Sequence, residues 1–270
     1  MISKSERLLI FRFLFSKKSD GYVSIFAWFS IIGISLGVAA IIIVMSVMNG
    51  FRIDLTNRII GLNSHLNIYS FDNEITNKQA DELILNIDNS FFYQHYKSIE
   101  TNGLIIKSNN SKGVMIKGYD AYDKNHYLFN SINMGSLILN PKSEILIGDS
   151  LANEMNLSVG DKVKIAIPKT DKTILGNIPR FKTLEVVGVF DLGLYEYDSN
   201  LIFLSSEIVR KLLLYDEDIY NKIEFFTSSP NEIELFKNKV ELETSNLLLN
   251  FYSISWKDQN KTLILSLIHI

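Results

Sequence analysis

The sequence predicts an α+β domain that follows a single N-terminal transmembrane helix. Two observations support this fold class. No charged residue occurs from Gly21 to Phe51, although 21% of the 270 residues of the chain are charged. Downstream of residue 52, short strand and helix patterns alternate with short connections, which favours a mixed α/β domain over a β-sandwich.

The uncharged segment is long enough to cross a membrane. A bilayer core about 30 Å thick requires about 20 helical residues, and the segment 21–51 exceeds that length. It is also longer than the apolar region of a signal peptide and has no convincing cleavage site. Because five of the seven charged residues before it are basic, the positive-inside rule predicts a cytoplasmic N-terminus, residues 1–20, and an external domain, residues 52–260.

Small side chains repeat at helical spacing along one face of this segment. They are Ser30, Gly33, Gly37 and Ala40. Small residues allow close approach of a second helix, so we expect this face to pack against a partner span. The alternative is that Gly and Ser are simply common in membrane helices. Nearer the outer end, Met45 and Met48 are interpreted from composition alone as ordinary lipid-facing side chains.

The first part of the external domain shows three local signals. Alternating apolar residues predict a strand at 66–71. Thr76 and Gln79 have the spacing of a capping box, which predicts a helix with Ala80, Leu83, Ile84 and Ile87 on one face. Strand patterns at 103–108 and 113–117, separated by two Asn residues, predict a hairpin.

The second part shows a denser series of elements. Ser206–Leu214 is predicted to be a helix with four inward apolar residues, and Ser229–Glu232 to be a capping box with Pro at the first helical position. The remaining predictions are a helix at 150–155 and strands at 144–147, 162–167, 183–190 and 201–204.

A long polar segment separates two of these strands. Residues 168–180 begin with Pro168, carry Pro179 near their end, and contain apolar Ile174, Leu175 and Ile178 between polar residues. Such long loops are typically functional, and an exposed apolar tip suits contact with another protein. A long hairpin without a binding role remains the alternative.

The composition excludes several classes of function. With 27 Lys+Arg, 30 Asp+Glu and a formal charge of −3, the chain is no basic nucleic-acid-binding domain. It has no Cys, no P-loop and no nucleophile elbow, and its four His residues lack metal-ligand spacing. We therefore expect no catalytic residue, metal or cofactor, and an energy supply from a partner.

Four segments carry a family resemblance. Residues 24–69, 144–168, 188–204 and 255–260, with the motifs SVMNGF, YEYDSN and SWKDQN, resemble the lipoprotein-releasing permeases of the LolC/LolE family. The resemblance implies a MacB-like periplasmic core domain of two lobes and four membrane spans in a bacterial inner membrane. It further implies an ABC ATPase partner, a second permease copy or paralogue, lipoprotein substrates and a periplasmic carrier of lipoproteins.

The resemblance also implies roles for particular residues. The segment 168–180 would be a hook-like loop that docks the carrier, and the outer end of the span would contact lipoproteins. The hook residues are Pro168, Ile174, Leu175, Gly176, Asn177, Ile178, Pro179 and Arg180. The lipoprotein-contacting residues are Val44, Met45, Val47, Met48 and Phe51.

The chain departs from the family pattern at its end. Residues 261–270 are too short to span a membrane, so we expect a truncated start of a second span or a non-native tail, with the C-terminal spans missing. Two other functions remain open: a related MacB/FtsX-type permease for efflux or cell-wall signalling, and a single-span anchored scaffold.

Overall fold

The computed structural model describes residues 5–6, 8–10, 21–62, 64–122, 126–138, 140–173, 176–262 and 265, with side chains left out at several positions and throughout 168–179. The chain divides into two compact units, Met1–Asn57 and Arg58–Ile270. The first consists mainly of one helix, and the second is the α/β domain.

Helix α1 (Gly21–Leu62) has 42 residues and would be about 63 Å long at the usual helical rise. Its stretch Ser24–Asp54 is long and apolar enough to cross a membrane. The large apolar side chains described along this stretch are almost all exposed, as expected for a helix whose solvent is lipid. The helix continues beyond residue 51, where the sequence predicts the span to end, as far as Leu62.

The domain alternates strands and short helices. Its strands are β1 (Leu66–Ser70), β2 (Ile75–Thr76), β3 (Gln94–Lys107), β4 (Asn110–Tyr119), β5 (Ile132–Gly135), β6 (Glu144–Gly148), β7 (Lys162–Thr173), β8 (Gly176–Phe190), β9 (Leu201–Ser205), β10 (Ile219–Tyr220), β11 (Lys222–Phe226) and β12 (Phe251–Ser255). Its α-helices are α2 (Asn77–Asn86), α3 (Asp149–Met155), α4 (Tyr195–Asn200), α5 (Ser206–Leu213), α6 (Ile233–Asn246) and α7 (Trp256–Gln259). Two 3₁₀ helices lie at Tyr127–Ser131 and Pro230–Glu232.

Ten of these strands form one mixed sheet in the order β12-β1-β11-β3-β4-β9-β6-β8-β5, with β7 paired to both β3 and β8. Strand β3 is the centre, because it pairs with β11 at its start and with β7 near its end. The pairs β4–β9 and β6–β8 are parallel, and the other pairs are antiparallel. The predicted α+β class is therefore confirmed.

The domain has two main apolar cores, and we call the parts of the domain around them the first and the second lobe. The first core, contributed by β1, α2, β11, α6 and β12, includes Leu66, Leu83, Phe225 and Phe236. The second core, contributed by β3, β4, β6–β9, α3 and α5, includes Ile99. The strand register places both cores on the same face of the sheet.

A third apolar cluster lies on the opposite face of the sheet. It contains Tyr119, Phe190 and Phe203, and residues of the 126–138 segment cover it, among them Leu128 and Ile138. This face therefore has a buried region as well, so charged side chains that the strands place there are removed from water.

Most local predictions are confirmed. The capping box at Thr76 is complete, with the Thr76 side chain accepting from the Gln79 N–H and the Gln79 side chain accepting from the Thr76 N–H. Helix α5 buries the four predicted apolar residues. The capping box at Ser229 is wrong, because the first turn is a 3₁₀ helix and the Ser229 side chain makes no capping hydrogen bond.

Candidate functional sites in the hairpin arm, the helix stripe and the domain junction

Strands β7 and β8 continue beyond the sheet as a two-stranded arm. Ala166 is the last residue of β7 that pairs with β3, whereas pairing with β8 continues to Thr173 opposite Gly176. Among the described residues, 170–173 pair only with 176–179, and Arg180 pairs with Ile167 at the base of the arm. The segment predicted to be a loop is thus the end of a long hairpin, and its binding role stays a prediction.

The arm explains the position of its two prolines. Pro179 lies opposite Thr170, next to a shift in register after Ile167. A proline cannot donate to a ladder, but both strands of an isolated hairpin are edges, where this loss is tolerated. The prolines also hinder the addition of a further strand from another molecule.

The structure places the predicted hook residues unevenly. Pro168 and residues 176–179 belong to the paired strands, with only their backbone described, and Ile174 and Leu175 lie outside the described residues. Arg180 lies at the base of the arm, where its Nη1 donates to the carbonyl oxygen of Lys211 in α5 at 3.1 Å. Arg180 is therefore held against the second lobe.

A basic groove of about 450 Å³ lies beside the base of the arm. Its cations come from β8, from α5 and from the loop before β6, and Glu207 is the one carboxylate among its lining residues. Lys211 pairs with Glu207 at 2.5 Å, which leaves the groove with an excess of positive charge. The lining residues are Lys142, Arg180, Phe181, Lys182, Glu207, Ile208, Lys211 and Leu212.

Most of the predicted helix-packing and lipoprotein-contacting residues share one stripe of α1, and two of them flank it. Ser30, Gly33, Gly37 and Ala40 are exposed, and a Cβ added at either glycine would meet nothing within 4 Å. At about 3.6 residues per turn, Val44, Met48 and Phe51 continue this face toward the end of the predicted span. Met45 and Val47 flank it, with 63% and 65% of their surfaces exposed.

A buried charge network crosses the middle of the sheet, on the face opposite the two cores. Glu224 of β11 is fully buried, and its Oε1 lies 3.0 Å from Lys222 Nζ and 3.3 Å from Lys117 Nζ. Tyr119 OH donates to Glu224 Oε2 at 2.5 Å, and Lys222 Nζ also pairs with Glu100 at 2.8 Å. The network links β11 of the first lobe to β3 and β4 of the second.

The charges in this network are mutually dependent. Burial alone would raise the pKa of Glu224, but the neighbouring Lys117 and Lys222 charges lower it to about 2 from its ordinary 4.5. Burial would lower the pKa of Lys222, but Glu224 and Glu100 raise it well above its usual value. Glu224 and Lys222 are therefore both charged at neutral pH, inside the protein.

His65 occupies the junction between α1 and the sheet. Its side chain is buried, its Nδ1 accepts from the Thr227 N–H at 2.8 Å, and its Nε2 lies 3.1 Å from the Ile60 carbonyl oxygen. Its ring packs edge-on against Phe226, with centroids 5.6 Å apart. The sequence alone does not indicate a role for His65, because its partners lie in different elements.

We expect the protein to lose stability as the pH falls from 7.5 to 5.5. Burial lowers the pKa of His65 from 6.5, although hydrogen bonds to Ile60 and Thr227 oppose this. Below about pH 6.5, His65 therefore binds a proton more readily in the unfolded chain than in the native protein. This difference lowers the free energy of unfolding as the pH falls. Thermal unfolding at the two pH values measures this loss. His65→Gln, which does not titrate, should show a smaller pH dependence than the wild type, and an equal dependence would contradict the assignment.

Comparison with known proteins agrees with this architecture. Residues 27–241 match the family model of the MacB-like periplasmic core domain. The lipoprotein-releasing system transmembrane protein LolC of Neisseria meningitidis is 28% identical over 212 residues, which are 77% of this chain and 51% of that protein. LolE of Haemophilus influenzae is 26% identical over 226 residues, which are 81% of this chain and 54% of that protein.

Among solved structures, the periplasmic region of MacB from Actinobacillus actinomycetemcomitans has a TM-score of 0.49 at 15% identity, covering 77% of this chain and 95% of that one. The chain spans about half the length of the curated relatives it matches. The resemblance to the LolC/LolE permeases is confirmed by these relatives. Because the family model covers most of α1 and most of the α/β domain, this chain belongs to the family of proteins with a MacB-like periplasmic core domain.

Proposed function

We propose that this chain is part of a permease subunit of an ATP-driven transporter that releases lipoproteins from the inner membrane. In this proposal, a separate ABC ATPase hydrolyses ATP, and movement of the membrane helices is passed mechanically to the periplasmic domain. The lipoprotein leaves the outer leaflet and is handed to a periplasmic carrier without crossing the membrane.

One observation carries the proposal. The family match begins at residue 27, inside α1, and ends at residue 241, inside α6, so that the helix and the domain match as one continuous unit. The relatives that match the same region are named lipoprotein-releasing system transmembrane proteins. Mechanical coupling requires the helix and the domain to be parts of one protein, and the family match covers both.

The hairpin arm is proposed as the docking element for the carrier. Its two strands pair with each other beyond the sheet, and its connection holds Ile174 and Leu175, two apolar residues that suit a pocket on a partner. The basic groove beside the arm favours a partner with an acidic surface, because complementary charges speed association and fix orientation.

Helix α1 is proposed to serve two contacts from one stripe. Its small residues, Ser30 to Ala40, would pack against a helix of a second permease copy or paralogue. Its outer residues, Val44 to Phe51, would contact the acyl chains, since methionine side chains adapt to irregular apolar surfaces. In this proposal the N-terminus lies in the cytoplasm and the domain in the periplasm, as the positive-inside rule predicts.

Charged substitutions in the connection of the arm test the carrier site. We expect Ile174→Glu and Leu175→Glu each to weaken carrier binding by about thirtyfold or more, the effect of losing a hot-spot contact of about 2 kcal/mol. Equilibrium binding of the purified carrier to the detergent-solubilised permease measures the change.

Val159→Glu is the matched control, because Val159 is 43% exposed in a turn at the start of β7. It adds the same charge at another surface site and should leave carrier binding unchanged. Full binding by both arm variants would contradict the docking role.

Purified complexes that retain no acylated protein would instead favour an efflux or signalling permease.

A further inference from the structure

His65 lies where four segments of the domain meet. Its ring bridges the last turn of α1, through the Ile60 carbonyl oxygen, and the end of β11, through the Thr227 N–H. Its backbone adds two more connections, since its N–H donates to the Phe225 carbonyl at 2.9 Å and its carbonyl accepts from the Trp256 N–H at 2.9 Å. His65 thus joins α1, β11 and α7 immediately before β1 begins.

The hydrogen bonds fix which ring nitrogen carries the hydrogen. Nδ1 accepts from the Thr227 N–H, so in the neutral ring the hydrogen is on Nε2, which donates to the Ile60 oxygen. Carbonyls in the last turn of a helix have no partner within the helix, and a basic side chain commonly supplies one. The same His65 ring therefore caps the C-terminal end of α1 and accepts a hydrogen bond from Thr227 at the end of β11.

The connection at this point is short. Only residues 63–65 separate α1 from β1. A buried ring that is bonded to backbone groups on two sides has little freedom to move, and only 4% of the His65 surface is exposed. A displacement of the last turn of α1 must therefore either move the end of β11 with it or break a bond to His65.

We infer that His65 is the positioning residue through which displacement of α1 reaches the ten-stranded sheet. This inference rests on the proposed function, because a mechanical transporter must join its membrane helix rigidly to its periplasmic domain. Strand β11 pairs directly with β3, and β3 pairs with β7, so the junction leads through adjacent strands to the arm.

The test uses the full-length permease with its ATPase in liposomes. We expect His65→Ala to hydrolyse ATP at close to the wild-type rate but to release lipoprotein to the carrier about tenfold more slowly, as expected when two hydrogen bonds of ordinary strength are lost. His65→Gln can accept with its amide oxygen and donate with its amide nitrogen, so it should restore most of the release.

His126→Ala separates coupling from stability. His126 is also buried and accepts from the Leu128 N–H through its Nδ1, but both residues belong to the 126–138 segment that covers the third cluster. It should lower thermal stability and retain release per ATP. Release by His65→Ala at the wild-type rate, or an equal loss in His126→Ala at equal thermal stability, would overturn the inference.

A distance measurement distinguishes failure of this inference from failure of the proposed function. The present sequence has no cysteine, so spin labels can be placed at Leu36 in α1 and Leu85 in α2, which are 72% and 84% exposed. We expect ATP to change this distance in the wild type and not in His65→Ala. If ATP changes this distance in a wild type that releases no lipoprotein, only the proposed substrate is contradicted. If ATP changes the distance equally in His65→Ala, the role of His65 at the junction is contradicted.

Discussion

Glu224→Gln should destabilise the protein by about 3–5 kcal/mol, because it removes one charge from a buried network and leaves the others. Lys117 would lose its carboxylate partner at 3.3 Å inside the protein, and Lys222 would retain only Glu100. Uncompensated buried charge is one of the few mechanisms that produces so large an effect. Denaturant-induced unfolding, followed by tryptophan fluorescence, measures the difference in the free energy of unfolding.

Two controls isolate the cause. Glu207→Gln removes the carboxylate of an exposed i,i+4 pair with Lys211 and should cost no more than about 0.5 kcal/mol. The double variant Lys117→Met with Glu224→Leu removes both charges and should recover most of the loss, since apolar replacements of buried ion pairs are often neutral. An unchanged midpoint for Glu224→Gln would show that the network contributes nothing.

Acid should produce the same loss without mutation. The pKa of Glu224 is lowered to about 2, so its ionised form stabilises the fold above pH 4.5, and this contribution disappears as the pH falls toward 2. This window lies below that of His65, whose lowered pKa makes its effect appear below about pH 6.5. The two effects therefore fall in different parts of one pH series.

Local signals in the sequence predicted most of the elements. The capping box at Thr76 and the apolar face of α5 depend only on residues a few positions apart, so their patterns are visible without the fold. The extended strands of the arm were left open as an alternative to a loop, because the sequence 168–180 shows no alternation of apolar residues that would predict strands.

The sequence did not reveal the buried network or the junction, because both depend on distant partners. Lys222 and Glu224 alternate with Ile223 and Phe225, a pattern typical of a strand with one solvated face. That face is covered in part by the 126–138 segment, about a hundred residues away in the chain. His65 likewise bonds to Thr227, 162 residues further along.

Trp256→Ala should cost about 3–5 kcal/mol, the usual loss for a buried indole. Trp256 belongs to the motif SWKDQN, is 4% exposed, and packs in the first core. Its Nε1 donates to the Pro230 carbonyl at 2.8 Å, ahead of α6. Trp256 also donates its backbone N–H to the carbonyl oxygen of His65. The motif therefore connects α7 to the segment between α1 and β1.

The comparison with Trp256→Phe separates packing from hydrogen bonding. Phenylalanine fills most of the same space but cannot donate to Pro230, so we expect a loss of about 1–2 kcal/mol, the cost of a buried carbonyl left without its donor. Circular dichroism is the measurement, because both variants change the fluorescence signal. Equal losses for the two variants would mean that the hydrogen bond dominates. A much larger loss for alanine would mean that the ring holds α7, and with it the junction at His65, in place by filling the first core.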